Sequence, residues 1–401
     1  MAHQLSLYDQ FFRVQEKLEE RLNPVRWEGS FNARERSFHQ LAPYVGKLKS
    51  GMVRVLLEEF TKEGDVVLDP FCGSGVVPLE AALLGRNAVD NDLNPYAYVL
   101  TMGKLFPPRS LDEALGRARE LTDRVETEAP EEDLSGVPKW VKDFFHPRTV
   151  REVVSAFRIL RKQKDYFLMS CLLGILHHVR PGFLSYPASH LTPYLRKKMY
   201  PRDKFPGMYT YRDLRSRLLA KVERAFSRPP NMEVFLETKR RVFQENAMAL
   251  PLQAREVDAI ISSPPYFGAL DYGRDNRLRL WFLGLEDYKV LERTLTANDG
   301  VYVPQMKRCL LEMMRVLRPD GYCVLILGDV HRDGKTRKTA EIVCDLASGM
   351  QVKERDGWLY SFKTYAIVTD EIPDDRRSRR YTRTTRNERI LIMKKSPARR
   401  A

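Results

Sequence analysis

The chain has 401 residues, 43% hydrophobic and 30% charged, a balance that lets a globular protein bury a sizeable core. No apolar run reaches the ~18–20 residues needed to span a bilayer, and the first residues lack a secretory apolar core, so a cytoplasmic protein is expected and a membrane protein is not. Lysine and arginine number 67 against 53 acids, a net charge of +14 that suits a polyanionic partner, while five scattered cysteines, never paired as CxxC, argue against a disulfide framework or a structural zinc site.

In chain order, residues 1–35 read as an amphipathic helical extension with a loop at Asn23-Pro24. Residues 51–60 have helical periodicity, and Val66-Val67-Leu68 is a short strand ending at Asp69. The turn Phe71-Cys72-Gly73-Ser74-Gly75 opens a helix that Gly85 closes, and a second strand, 87–90, leads to Asp92 and Asn94-Pro95. Strand, glycine turn, helix, strand, acid is the first half of a doubly wound nucleotide-binding fold. The alternation then stops. Residues 105–232 carry helical patterns, notably 111–126 and 149–163, and few strand signals; so long a stretch is expected to be a domain in its own right rather than a loop. Strands resume at 241–243 and 257–261, the second running into Ser263-Pro264-Pro265-Tyr266. A helix over 303–317, a strand over 322–330, a helix near 338–349 and strands at 359–367 and 388–394 complete the pattern, and the tail from Ser396 reads as disordered.

The glycine turn lacks the Lys-Ser/Thr of a phosphate-binding loop and the third glycine of a dinucleotide fingerprint. A carboxylate at Asp69 would repel a pyrophosphate and suits a ligand bearing an ammonium group. Asp92 is placed to accept from both ribose hydroxyls, with Asp90 the competing acid. S-adenosylmethionine has an ammonium, a sulfonium and a ribose, and no phosphate.

Asp-Pro-Phe-Cys-Gly-Ser-Gly at 69–75 and Ser-Pro-Pro-Tyr at 263–266 resemble the two diagnostic motifs of the amino-group DNA methyltransferases, which modify cytosine N4 or adenine N6. The resemblance implies a Rossmann-like, seven-stranded methyltransferase domain split into 36–104 and 233–396 by the mainly helical insertion 105–232, the candidate target-recognition region. It implies S-adenosylmethionine as cofactor, held by Asp69, Phe71, Cys72, Gly73, Ser74, Gly75 and Asp92, with His39, Tyr44 and Lys47 at its methionine end. Asn246 falls where the family places an acid or amide near adenine; Cys72 itself reads as packing. It implies DNA as partner, with a restriction endonuclease as a second candidate partner, and Ser263, Pro264, Pro265 and Tyr266 as catalytic residues.

The chemistry agrees with that assignment. An exocyclic amine has its lone pair delocalised into the ring, so acceptors such as Ser263 Oγ and the Pro264 carbonyl must draw its N–H groups out of plane, while Tyr266 stacks on an extruded base. Methylation at cytosine C5 needs a cysteine nucleophile, and none stands at this strand end. Serine before the prolines favours cytosine N4 over adenine N6. An RNA guanosine-N2 enzyme and a non-catalytic nucleic-acid-binding protein are the other readings. Asp271-Tyr272 and Gly328-Asp329 are candidates to line the base pocket. Basic and aromatic residues interleave in the insertion, and Arg180, Tyr194, Arg196, Lys197, Lys198, Arg202 and Lys204 are the candidate nucleic-acid contacts; a second basic run spans 376–383. No metal is expected: His177, His178 and His190 have no standard ligand spacing.

Overall fold

The computed structural model describes residues 16–27, 35–176, 201, 203–265, 272–293, 299–332, 335–371 and 384–400. Tyr266, Arg180, Tyr194, Arg196, Lys197, Lys198, Arg202, Asp271, the run at 376–383 and most of the N-terminal extension lie outside them.

Helix α1 (Ser50–Phe60) leads to β1 (Val66–Asp69), α2 (Val76–Leu83) and β2 (Asn87–Asn91). Asn94 then starts α3 (Pro95–Leu105): its side chain accepts from the Tyr96 N–H, and Pro95 at the first helical position has no N–H to leave orphaned. The helical region contributes α4 (Leu111–Glu128), α5 (Pro147–Gln163), α6 (Tyr166–Ile175) and α7 (Leu214–Ala225). Next come β3 (Arg240–Phe243), β4 (Val257–Ser262), α8 (Arg277–Phe282), α9 (Asp299–Val316) and β5 (Leu317–Arg332). The chain finishes with β6 (Lys335–Arg337), α10 (Thr339–Ser348), β7 (Val352–Lys353), β8 (Trp358–Glu371) and β9 (Thr384–Arg400).

The strands form one sheet in the order β3-β2-β1-β4-β5-β9-β8-β7, with β6 beside β5. β3, β2, β1, β4 and β5 run parallel; β9 is antiparallel to β5, and β8, antiparallel to β9, runs in the same sense as the first five. This is the doubly wound methyltransferase arrangement expected from the sequence. The short strands β6 and β7 carry the sheet beyond seven. The order reverses between β1 and β4, and in open α/β sheets the crevice beyond the strand ends at such a switch point is where ligands bind. Among the described residues, no helix is long and apolar enough to cross a membrane.

Two expectations are corrected. The tail is a strand: Ser396 pairs with Ser361, Pro397 with Tyr360 and Arg399 with Leu359. Its polar composition hid the ladder, which depends on the partner strand rather than on local hydrophobicity. The helical region is also not separately cored. Its helices share one apolar cluster with Leu79 and Ala82 of α2, Tyr96 and Leu100 of α3, and Leu278 and Phe282 of α8, so it packs as a further layer of the same body.

The segment before α1 crosses the carboxyl end of the sheet. Trp27 Nε1 donates to Asp370 Oδ2 on β8 at 3.1 Å, and Lys49, the residue before α1, pairs with the same carboxylate. All three side chains are buried or nearly so, which ties Trp27 and Lys49 to the end of β8.

Candidate active site

Asp69 ends β1 and is 2% exposed. Its Oδ1 accepts from the Ser262 hydroxyl at 2.6 Å and from the Phe71 N–H at 3.1 Å. Burial raises its carboxyl to about 7 against the opposing pull of these hydrogen bonds. The turn that follows is held from several directions. The Cys72 N–H donates to the Asn91 carbonyl at 3.0 Å, the Gly73 N–H donates to Asp92 Oδ2 at 2.9 Å, and Lys104 donates to the Ser74 carbonyl. Lys104 is 1% exposed, and burial brings its ammonium down to about 7. The Cys72 thiol is buried against Thr101 and is raised by desolvation, as a packing residue would be. Phe71 packs against the apolar cluster on the α9 side of the sheet.

Glycine is required at two of these positions. Gly75 has φ +71°, and a Cβ there would stand 2.7 Å from Thr101 Oγ1 and 3.1 Å from its Cα. Gly73 has φ +50°, and a Cβ there would meet the Tyr44 ring at 3.3 Å. Gly75→Ala is therefore expected to cost about 1–2 kcal/mol for the left-handed backbone alone, and more for the contact with Thr101. Thermal unfolding of the variant measures the sum, and an unchanged Tm would show that the turn is not built this way.

Asp92 follows β2 and is half-buried. Its Oδ2 takes the Gly73 N–H and its Oδ1 the Asn94 N–H, both at 2.9 Å, and burial raises its carboxyl to about 6. Asp90, two residues earlier, is 1% exposed, and neither of its oxygens has a hydrogen-bond partner. Desolvation first, and the neighbouring Asp69 second, hold it well above the usual carboxylate range. The Ser74 hydroxyl is likewise buried without a partner.

The segment 35–49 divides into two roles. Tyr44 lies against Gly73 and stacks on Tyr96 at 5.7 Å, and the buried Arg279 guanidinium of α8 lies 5.1 Å from the Tyr96 ring centre. His39 instead turns inward: its Nε2 bonds Glu80 Oε1 of α2 at 2.7 Å, and Arg54 takes Oε2. Burial lowers the His39 pKa. Lys47 pairs with Glu35 at 2.6 Å. The structure thus brings Tyr44 to the turn and occupies the side chains of His39 and Lys47 in holding the segment together. Asn246 folds its Oδ1 back onto the Met248 N–H at 2.9 Å and leaves its amide group half-exposed after β3.

At the end of β4, Ser262 reaches Asp69 while Ser263 donates its hydroxyl proton to the Ile326 carbonyl of β5 at 3.1 Å. Ser263, Pro264 and Pro265 therefore leave the sheet directly beside the glycine turn. Lys204 sits in an exposed turn.

Four positions escaped the sequence reading: Ser262, Lys104, Asn91 and Arg279. Asn91 donates to the Pro70 and Glu245 carbonyls and accepts the Glu245 N–H, locking the loop after β3 to the glycine turn. Each is a polar residue that the fold buries, and such a residue is rarely left without a partner.

Parts of the chain are similar to known proteins. Residues 25–102 match the family model described as DNA methylase, of the N6/N4 type. The Type II methyltransferase M.BsoBI of Geobacillus stearothermophilus is 24% identical over 288 residues, covering 65% of this chain and 55% of that protein. The Type II methyltransferase M.MjaII of Methanocaldococcus jannaschii is 29% identical over 101 residues, 24% of this chain and 19% of that one. The chain thus spans about half the length of the first relative and about a fifth of the second. Among solved structures, a SAM-dependent methyltransferase of Methanosarcina mazei aligns over 85% of this chain and 97% of its own, with 13% identity and a TM-score of 0.33. Residues 25–102 thus resemble the N6/N4 DNA methylases, in keeping with S-adenosylmethionine as the cofactor.

Proposed function

We propose that this chain transfers a methyl group from S-adenosylmethionine to the exocyclic amine of an extruded DNA base, N4 of cytosine in the first reading and N6 of adenine in the second. The observation that carries the proposal is the 2.6 Å hydrogen bond from Ser262 to Asp69, which sets the glycine turn beside the strand end bearing Ser263-Pro264-Pro265.

The residues present fit the cofactor. The backbone at Gly73 and Gly75 carries no side chain that would fill the turn, Asp69 and Asp92 hold its N–H groups, and the buried Lys104 is spent on the Ser74 carbonyl. That donor set suits an ammonium and ribose hydroxyls and disfavours a phosphate. Asp69, Phe71, Gly73, Ser74, Gly75 and Asp92 would hold it, with Tyr44 walling one side and Asn246 near the adenine. When bound, S-adenosylmethionine supplies an electrophilic methyl group on sulfur.

The chain supplies placement. Ser263 has one hydroxyl proton, and Ile326 takes it, so Oγ meets an incoming N–H as an acceptor. The Pro264 carbonyl is a second acceptor, held stiffly between two pyrrolidine rings that offer no competing N–H. Two acceptors above and beside an amine turn its lone pair out of the ring plane, and Tyr266 would stack on the base so presented. The net charge of +14 suits the phosphate backbone, and the helical region 105–232, with Lys204 and the basic residues of 180–202, is the proposed reader of the target.

The test is to incubate the protein with methyl-labelled S-adenosylmethionine and unmethylated DNA, digest to nucleosides and identify the labelled product. N4-methylcytosine is expected. N6-methyladenine would move the assignment to the second base, and label only in structured RNA run alongside would overturn the DNA reading.

A further inference from the structure

Methylating an amine leaves a proton to be removed. The nitrogen gains a carbon, the carbon–sulfur bond breaks with its electron pair staying on sulfur, and one N–H proton must depart to restore a neutral base. Neither acceptor at the end of β4 can hold that proton: one is a hydroxyl and the other a carbonyl. With serine rather than aspartate before the prolines, β4 ends without a carboxylate. Asp69 and Asp92 are already engaged in the cofactor turn, by Ser262 and Phe71 and by Gly73 and Asn94.

The adjacent strand has one. β4 and β5 run in register to Ser262 opposite Leu325, and the Ser263–Ile326 hydrogen bond carries the pairing one residue further. Three residues beyond Ile326 is Asp329. At about 3.3 Å per residue it stands ~10 Å along β5, while Pro264 and Pro265 advance ~7 Å over the same stretch. The ladder between β5 and β9 slips between Gly328 and Val330, where Asp329 alone stands opposite two residues of β9, 386 and 387; such a bulge is the irregularity that re-aims side chains next to active sites. It is 4% exposed. Arg389 on β9 donates from Nε to Oδ2 at 2.9 Å and is itself held by Thr369 through Nη1 at 2.7 Å. Thr339 fixes the preceding Gly328 carbonyl at 2.8 Å. The other oxygen, Oδ1, is buried and has no hydrogen-bond partner. A carboxylate clamped at one oxygen and unsatisfied at the other is costly unless something supplies a donor there.

We propose that Asp329 Oδ1 receives the proton released by the target amine, with Arg389 as the positioning residue that holds the carboxylate in place. The proposal rests on the amine-methylation reading above. The N–H electrons stay on nitrogen, the proton converts Asp329 to the neutral acid, and Asp329 then passes it to water at the partly exposed Arg389 side.

Asp329→Asn tests it, measured in single turnovers on unmethylated DNA, with binding of S-adenosylmethionine and of DNA titrated separately. The expected result is a rate about a hundredfold or more lower with both affinities within threefold of the parent. Asp329→Ser carries a second readout that a structural role would not move: its shorter side chain leaves room for a small carboxylate, and added formate should restore rate in proportion to its concentration. Should the Asn variant fail to fold, the formate response of the Ser variant decides alone. A parent-like rate in Asp329→Asn, or no formate response in a folded Asp329→Ser, overturns the proposal. A parent protein that methylates no nucleic acid would instead overturn the reading on which it rests.

Discussion

Replacing Asp90 by valine is expected to raise stability at neutral pH by about 1–3 kcal/mol, the cost of leaving a buried polar group unsatisfied, and the gain should grow as pH rises. The side chain lies at the end of β2, paired in the ladder with Asp69, almost fully buried and with both oxygens unpartnered. Valine has nearly the same shape and fits a strand better. The pH dependence has a definite sign. The folded-state pKa lies well above the ordinary carboxylate value, so the folded protein holds a proton that the unfolded chain releases. Stability from this group is full below the unfolded pKa and is lost as pH rises towards the folded one. Thermal unfolding of parent and variant at pH 5 and pH 7.5 should therefore show a gap that widens with pH. Asp92→Asn is expected to behave in the opposite way, weakening S-adenosylmethionine binding at least tenfold, since it discharges the acid that faces the turn. If Asp90→Val abolishes cofactor binding while Asp92→Asn leaves it intact, the two acids have exchanged roles.

That pair illustrates what could and could not be read from the residues in order. The unit from β1 to Asn94-Pro95 was legible because each step has a local cause: a short apolar strand, glycines at left-handed positions, a helix begun by Asn94 and Pro95. Which of Asp90 and Asp92 faces the turn was only partly legible, because two acids two residues apart can lie on one strand face, and only the strand's end separates them. Ser262 looked like a neighbour of the motif; its contact with Asp69 spans 193 positions and exists only once β1 and β4 are adjacent. The long antiparallel strands β8 and β9 were under-read for a related reason. Their outer halves are polar, and their pairing, not their composition, makes them strands. The shared core of the helical region depends on contacts between α2, α3, α8 and helices far away in sequence, which no local pattern encodes.

Affinity for S-adenosylmethionine is expected to fall as pH drops through about 7 and then about 6, as first Asp69 and then Asp92 take up protons. Both carboxyls are raised mainly by burial, and each must be ionised to accept from an ammonium or a hydroxyl pair without offering a competing proton. Affinity should decline about tenfold per pH unit below the first midpoint and more steeply below the second. Keeping the titration between pH 5 and 7.5 leaves the cofactor's own amino group mostly charged, since an α-amino group titrates near ~7.7–8.0. The groups that face Asp69 set the window: the Ser262 hydroxyl and the Phe71 N–H lower its pKa, and the nearby Asp92 raises it. Ser262→Ala removes one of the two stabilising donors, so the upper midpoint should move to higher pH, with a several-fold loss of affinity at pH 7 that shrinks at pH 7.5. Ser262→Thr keeps the hydroxyl and should restore the parent curve. The same substitution also loosens β4 from β1, so the Ala variant should lower kcat at saturating cofactor, a loss that restoring the pH cannot recover. A flat affinity profile in the parent, or superimposable curves for parent and Ser262→Ala, would show that the carboxylate at the end of β1 does not meet the cofactor's ammonium.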